Sequence, residues 1–307
     1  MTEVFCAIDC GSNSTRLLIS DSSGQTLSRE MRITRLSQGV DANKTLQQEA
    51  LQRSYDVLSE YRSLMDSQGV TSGLLVATSA VRDASNGAAF LERAQEIVGV
   101  DARILSGKEE ATYSFNGAAT GLTPGEEPIA ILDIGGGSTE LASIIDGNLE
   151  SFSMQLGCVR VTERAMGRGV VSQESQNAAQ KMISEEINRA FSSVPAFEKL
   201  VGNVQLFGLA GTVATLAQMD VGLNEYDREA VHHRVLTREV AKHWFEVLKA
   251  MTPQERLGLA GMVPGREDVM TSGLLILVSV MERLGINQLI SSENDILDGI
   301  VKSLLRA

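Results

Sequence analysis

Two short stretches of this sequence are equipped for chemistry on phosphate, and they are built alike. "AIDCGSNSTRLLI" (7–19) sets Asp9 at the end of an apolar run, then Gly11, Ser12, Asn13, Ser14 and Thr15, then a second apolar run. "IAILDIGGGSTELASII" (129–145) repeats the order, with Asp133, Gly135, Ser138, Thr139 and Leu141 each 124 positions after Asp9, Gly11, Ser14, Thr15 and Leu17. Each reads as strand, tight turn, strand, since glycine and asparagine accept the positive φ of turns. Gly135, Gly136 and Gly137 carry no Cβ, so a phosphate can reach their amides while Ser138 and Thr139 offer hydroxyls. A plain hairpin explains one such turn. Two copies of D-x-G-x-x-S-T-x-L suggest a duplicated domain, with the turns gripping one phosphate chain from both sides of an interdomain cleft.

A carboxylate beside a phosphate is electrostatically costly unless a divalent cation sits between them. Asp9 and Asp133 are the candidate ligands, joined by Glu140, seven residues after Asp133 and across its hairpin. Hard oxygen donors favour Mg2+ or Mn2+, and no histidine or cysteine cluster offers softer ligation. A solvated strand residue is the other reading of Glu140.

Three further segments carry candidate groups. In "SGKEEATYSF", Ser106 and Glu109 form a capping-box pattern that occupies Glu109, leaving Glu110, about 100° around the helix, free to act as a general base on water. "GLAGT" places Gly208, Gly211 and Thr212 between an apolar strand and a helix-like run, where unsatisfied amides attract anions; a tight turn packed on its glycines is the alternative. Arg82 follows a buried strand and Arg16 follows the first turn, each a candidate phosphoryl clamp or an ordinary ion-pair partner. His232 and His233 have no third ligand in view and read as structural or as part of a substrate edge.

The elements that must position these groups follow from periodicity. Extended runs are expected at 3–8, 15–20 and 26–36. A helix is expected over 47–65, with Leu51, Tyr55, Leu58 and Met65 on one stripe. "GLLVATSAV" reads as a buried strand, "GAAFLERAQEIVG" as a helix ending at Gly99, and "ARIL" as extended. "TPGEEP" (123–128) is the clearest break, giving domains 1–123 and 124–307. Beyond residue 159 the pattern is mostly helical, apart from "VQLFGLAGT" and "QLISS".

The whole chain narrows the class. Its 307 residues suffice for two domains, and "MTEVFC" carries no basic region or long apolar run, so a cytoplasmic protein without a membrane partner is expected. A net charge of −12 argues against a nucleic-acid partner, whose affinity would rest on a broad basic surface. Cys6, Cys10 and Cys158 fit neither a disulfide framework nor a zinc pattern and read as small buried side chains.

Taken in order, "AIDCGSNSTRLLI", "ATSAVRDA", "SGKEEA", "LDIGGGSTEL", "GLAGTVATLA" and "SENDILDGI" resemble the exopolyphosphatase and guanosine pentaphosphate phosphatase family. That family lies in the superfamily that also holds actin, sugar kinases and acetate kinase. The resemblance implies an α/β fold of two duplicated ribonuclease H-like domains, with the active site in the cleft between them. It puts the catalytic glutamate at Glu110 and metal-associated carboxylates at Asp133 and Glu140. It matches residues 11–14, 135–138 and 208–212 to phosphate-contacting loops and Arg82 to a substrate-binding arginine. The implied activity is release of orthophosphate from inorganic polyphosphate. Hydrolysis of guanosine pentaphosphate, a phosphotransferase of the same superfamily and a non-catalytic sensor are the rivals. A homodimer formed through the second half is also implied. Packing of the last helix back on the first domain is an option that the residues leave open. Longer members carry further C-terminal domains that extend the polyphosphate channel, so a sequence running to Ala307 implies shorter chains as substrate. Asn294 stands where many members have glycine, and no contact is carried over there.

Overall fold

A computed structural model describes residues 3–119 and 127–306. The chain divides into two compact units, Met1–Thr120 with Asn294–Ala307 and Gly121–Glu293. Of the expected break, residues 123–126 lie outside the described residues. The domain limits differ from the expected 1–123 and 124–307 chiefly at the C-terminus, where residues from 294 onward belong to the first unit.

The first unit contains strands β1 (Val4–Cys10), β2 (Ser14–Asp21), β3 (Thr26–Ile33), β4 (Ser72–Ala77) and β5 (Asp101–Ile104). Its helices are α1 (Val40–Asn43), α2 (Gln48–Ser67), α3 (Ser79–Arg82), α4 (Gly87–Val98) and α5 (Gly107–Ala118). The second unit contains β6 (Ile129–Ile134), β7 (Thr139–Ile145), β8 (Asn148–Met154), β9 (Gln205–Leu209), β10 (Val235–Thr237) and β11 (Gln288–Ser291). Its helices are α6 (Cys158–Val161), α7 (Gln173–Ser193), α8 (Ala210–Val221), α9 (Arg228–Val231), α10 (Arg238–Lys249), α11 (Pro253–Leu257) and α12 (Met270–Arg283). Helix α13 (Ile296–Leu304) closes the chain and packs in the first unit.

The strand orders express the duplication directly. The first sheet runs β3-β2-β1-β4-β5, and the second runs β10-β11-β9-β6-β7-β8. With β10 set aside, β8-β7-β6-β9-β11 repeats the first order, including antiparallel pairing among the first three strands and parallel pairing after them. This is the ribonuclease H-like arrangement that the resemblance implies. Among the described residues no helix is long and apolar enough to cross a membrane.

Strand period sorts β1 between two layers. Cys6, Ile8 and Cys10 join the core formed with α2 and α4, where Leu58, Tyr61 and Phe90 are buried. Ala7 faces the other way, packing with Leu18 and Val76 on Leu297, Ile300 and Val301 of α13. Asp9 shares Ala7's face, the face that α13 covers.

Two strands end sooner than the sequence reading expects. "GLLVATSAV" is extended only to Ala77, and Ser79–Arg82 forms a helical turn whose Val81 amide donates to Thr78 O. β3 stops at Ile33, and Thr34, Arg35 and Ser37 instead donate backbone hydrogen bonds to the first turn.

Two glycines set the spacing of α5 and α13. A Cβ on Gly117 would lie 1.8 Å from Asp295 O, and one on Gly299 would lie 2.0 Å from Tyr113 O. The Gly117→Ala protein should therefore lose about 2–3 kcal/mol of stability, read by urea denaturation, because backbone cannot yield as a side-chain tip can. An unchanged denaturation midpoint would disprove this packing.

Candidate active site

The two predicted turns are the same structure. Gly11 N donates to Ser14 O at 3.1 Å and Gly135 N donates to Ser138 O at 3.0 Å. In each, the carbonyls are consumed from behind. Ser12 O accepts from Ser37 N, and Asn13 O accepts from Thr34 N and Arg35 N. Gly135 O accepts from Cys158 N, Gly136 O from Val159 N and Arg160 N, and Gly137 O from Arg160 Nε. Peptide geometry then aims the opposite edge of each turn away from its backing. The amides of Ser12, Asn13, Gly136 and Gly137 donate no hydrogen bond to another described residue. Such an array of outward N–H groups suits an anion.

The backing residues escaped sequence reasoning. Gly157 is the sharpest, since a Cβ there would meet Gly136 and Gly137 backbone at 2.3–2.5 Å. A glycine after "SMQL" was the available signal, but nothing local says which turn it approaches.

At the mouths of the turns the two copies diverge. β1 pairs Asp9 with Arg16, and β6 pairs Asp133 with Glu140, at corresponding positions. Asp9 Oδ2 accepts from Arg16 Nε at 3.1 Å and NH2 at 2.5 Å, while Arg16 NH1 reaches Asp295 Oδ2 at 2.5 Å. Arg29 extends the network to Asp295 and Asp298. Burial raises the Asp9 carboxyl above its ordinary value, opposed by Arg16. Burial also acts to raise Asp295, but Arg16 and Arg29 outweigh it and hold that carboxyl below its ordinary value. The structure thus gives Arg16 two carboxylate partners.

Asp133 and Glu140 instead place two carboxylates directly opposite one another, 7% and 1% exposed, with Ser153 donating to Glu140 Oε1 at 2.6 Å. Like charges in that position destabilise a hairpin. A hard divalent cation relieves the repulsion, and Mg2+ commonly takes one or two carboxylates, with water and phosphate completing its shell. Among the described residues no group of three or more His, Cys, Asp or Glu side chains is arranged to hold a metal ion. In the first unit, Asp9 Oδ1 is buried without a hydrogen-bond partner.

Arg82 and Glu110, distant in sequence, meet in the first unit. Arg82 NH1 donates to Leu105 O at 2.7 Å and to Glu110 Oε2 at 3.4 Å, while its NH2 is buried with no partner. Ser12 Oγ lies 3.1 Å from Ser79 Oγ, tying the first turn to the helical turn that carries Arg82. Both segments follow the C-terminal ends of the adjacent parallel strands β1 and β4. The capping box forms as expected: Glu109 Oε2 accepts from Ser106 N at 2.8 Å, and Ser106 Oγ caps Glu109 N. Glu109 is spent on the cap, and Glu110 is 8% exposed beside Arg82. Asp9, Asn13 and Arg82 each keep a buried polar atom without a hydrogen-bond partner, as do Ser37, Gln68, Thr215 and Thr271.

The "GLAGT" segment divides between the two readings. Gly208 is a packing glycine, its Cβ position 2.6 Å from Leu289 Cδ1, and the helix begins at Ala210. Thr212 turns inward, its hydroxyl bonded to Cys158 and packed on Gly273. Gly211 lies under Arg266, whose guanidinium would be 1.4 Å from a Cβ there, so this turn carries an arginine the sequence reading did not single out. His232 Nδ1 accepts from Glu293 N and its ring stacks on His233 at 3.8 Å, a structural use of the pair. Burial pushes the Cys6 thiol up to about 12 and that of Cys158 to about 11, so neither is a nucleophile.

The sequence profile of the Ppx/GppA phosphatase family matches residues 18–307. Exopolyphosphatase 2 of Mycobacterium tuberculosis is 37% identical over 317 aligned residues, 97% of each chain. A solved exopolyphosphatase-like protein is 33% identical, with a TM-score of 0.91 over 99% of both chains. A Ppx/GppA family member from Aquifex aeolicus is 28% identical, with a TM-score of 0.79 over 100% of this chain and 98% of that one.

Proposed function

The chain belongs to the Ppx/GppA phosphatase family, and from that premise we propose that it is an exopolyphosphatase, releasing terminal phosphate from inorganic polyphosphate as orthophosphate. One observation carries the reading: a buried carboxylate pair, Asp133 opposite Glu140, at a triglycine turn whose amides face outward. In the twin hairpin the same pairing is Asp9 with Arg16, an ion pair.

Outward amides of Ser12, Asn13, Gly136 and Gly137, with Ser14 and Ser138, hold phosphate oxygens. Gly211 belongs to this set through its amide at the start of α8. The NH2 of Arg82 clamps an equatorial oxygen of the phosphoryl group being transferred. Glu110 accepts a proton from water as the water oxygen bonds to the terminal phosphorus. The bridging P–O bond breaks, and the remaining chain departs with that electron pair. Asp133 and Glu140 would hold Mg2+ or Mn2+, which would supply neutralisation of phosphoryl charge when bound. Arg16, gripped by Asp9 and Asp295, fixes the Asp9 carboxylate and with it the first turn.

The test is orthophosphate release from short and long polyphosphate and from guanosine pentaphosphate, with Mg2+ or with chelator. Metal-dependent release, fastest from polyphosphate, is expected. Preference for guanosine pentaphosphate would rename the substrate, ATP formation from added ADP would mark a transferase, and no release from any of them would defeat the hydrolase reading.

A further inference from the structure

A cavity of about 440 Å³ opens on the first unit, lined among others by Arg103, Lys108, Tyr113, Lys302, Ser303 and Arg306. None of these residues belongs to the phosphate chemistry assigned above. The cavity's position follows from helix packing: Gly299 meets Tyr113 and Gly117 meets Asp295, so α5 and α13 run antiparallel. The basic last turn of α13 therefore lies beside the first turn of α5.

Four cations from separate elements converge there, Arg103 next to the end of β5, Lys108 on α5, Lys302 on α13 and Arg306 just beyond it. The lining contains one carboxylate, Glu109, whose Oε2 is already held by the Ser106 amide and hydroxyl at 2.8 and 2.7 Å. Arg103 donates to the Tyr113 hydroxyl and lies 5.5 Å from its ring centroid. Among the described residues, no ion pair joins Arg103, Lys108 or Arg306 to a carboxylate. In a chain with 39 acidic and 27 basic residues, this concentration of positive charge is out of keeping with the whole. Mutual repulsion around one cavity is relieved by a polyanion, and guanidinium forks with lysine ammonium groups match phosphate oxygens.

We propose that this cavity is a second phosphate-chain site, accepting a linear run of phosphates either as free oligophosphate or as the triphosphate of a nucleotide. Binding here stands on the cavity alone. Coupling to turnover rests on the reading of Glu110, which follows Lys108 by two positions on α5.

The probes are inorganic tripolyphosphate and ATP, with binding measured by calorimetry in chelator on the full chain and on its Glu110→Gln variant. Tripolyphosphate should occupy this cavity in both. Lys108→Glu with Arg306→Glu should weaken that site roughly tenfold or more at low salt, where exposed charges act most strongly. Both positions are exposed, and Glu early in α5 suits the helix dipole, so the double variant should melt like the native chain. Lys108→Ala with Arg306→Ala repeats the test without charge reversal. ATP competing at the charge-sensitive site would show that the phosphate chain is what is recognised, whatever carries it. Unchanged affinity and stoichiometry for both probes in the folded variants would overturn the proposal. Loss of the hydrolase reading would show itself separately, as native protein that binds at this cavity and releases no phosphate.

Discussion

Glu110→Gln should lower orthophosphate release from polyphosphate by about two to four orders of magnitude, with substrate affinity changed little. The amide keeps the shape of the side chain and the contact with Arg82 NH1, which a glutamine oxygen can still accept at the 3.4 Å position. What it loses is the ability to take a proton from water. Helix α5 should survive, because its cap rests on Ser106 and Glu109. Steady-state kinetics with a parallel binding isotherm separates the two quantities. Near-normal turnover would remove Glu110 from the base position. A large loss of affinity with preserved turnover would recast it as a binding residue.

Metal dependence should fail in a different variant. For the native chain, Mg2+ at about a hundredfold over its dissociation constant should stabilise the fold by about 2.7 kcal/mol. In Glu140→Gln most of that protection should vanish, and turnover should fall by at least about a hundredfold. The reason is local: Asp133 and Glu140 are register partners, so removing one charge halves the carboxylate set the hairpin offers. Ser153 can still donate to the remaining side-chain oxygen, which keeps the strand pairing intact. Thermal melts with and without Mg2+ read the first effect and phosphate release reads the second. A Glu140→Gln protein that keeps full Mg2+ protection would place the cation elsewhere.

These expectations were legible in the sequence to different depths. Asp133 and Glu140 could be paired from spacing alone, because a short turn fixes hairpin register and the side-chain period is two. Glu110 could be separated from Glu109 because a capping box is a four-residue pattern. The fate of Arg16 was not legible: Asp295, one of its two carboxylate partners, lies 279 residues further along the chain. Nor could the backing of the turns be foreseen. Gly157 packs against the triglycine turn and Arg160 donates to it, contacts about twenty residues apart in a segment with no periodic signal of its own.

The sequence by itself determined the duplication, the two glycine-bearing turns, the carboxylate pair and the capped helix carrying Glu110. All of these are set by interactions within one hairpin or one helical turn, where residue type and spacing nearly fix geometry. Tertiary structure alone decided that α13 returns to the first unit, because its apolar face could have covered any complementary sheet. Close approach at Gly117 and Gly299, with Ala7, Leu18 and Val76 receiving Leu297 and Ile300, selected this one. It also decided that Arg16 serves Asp9 and Asp295, and that four scattered basic residues line one cavity. Long-range packing sets such encounters, and no local spacing encodes them.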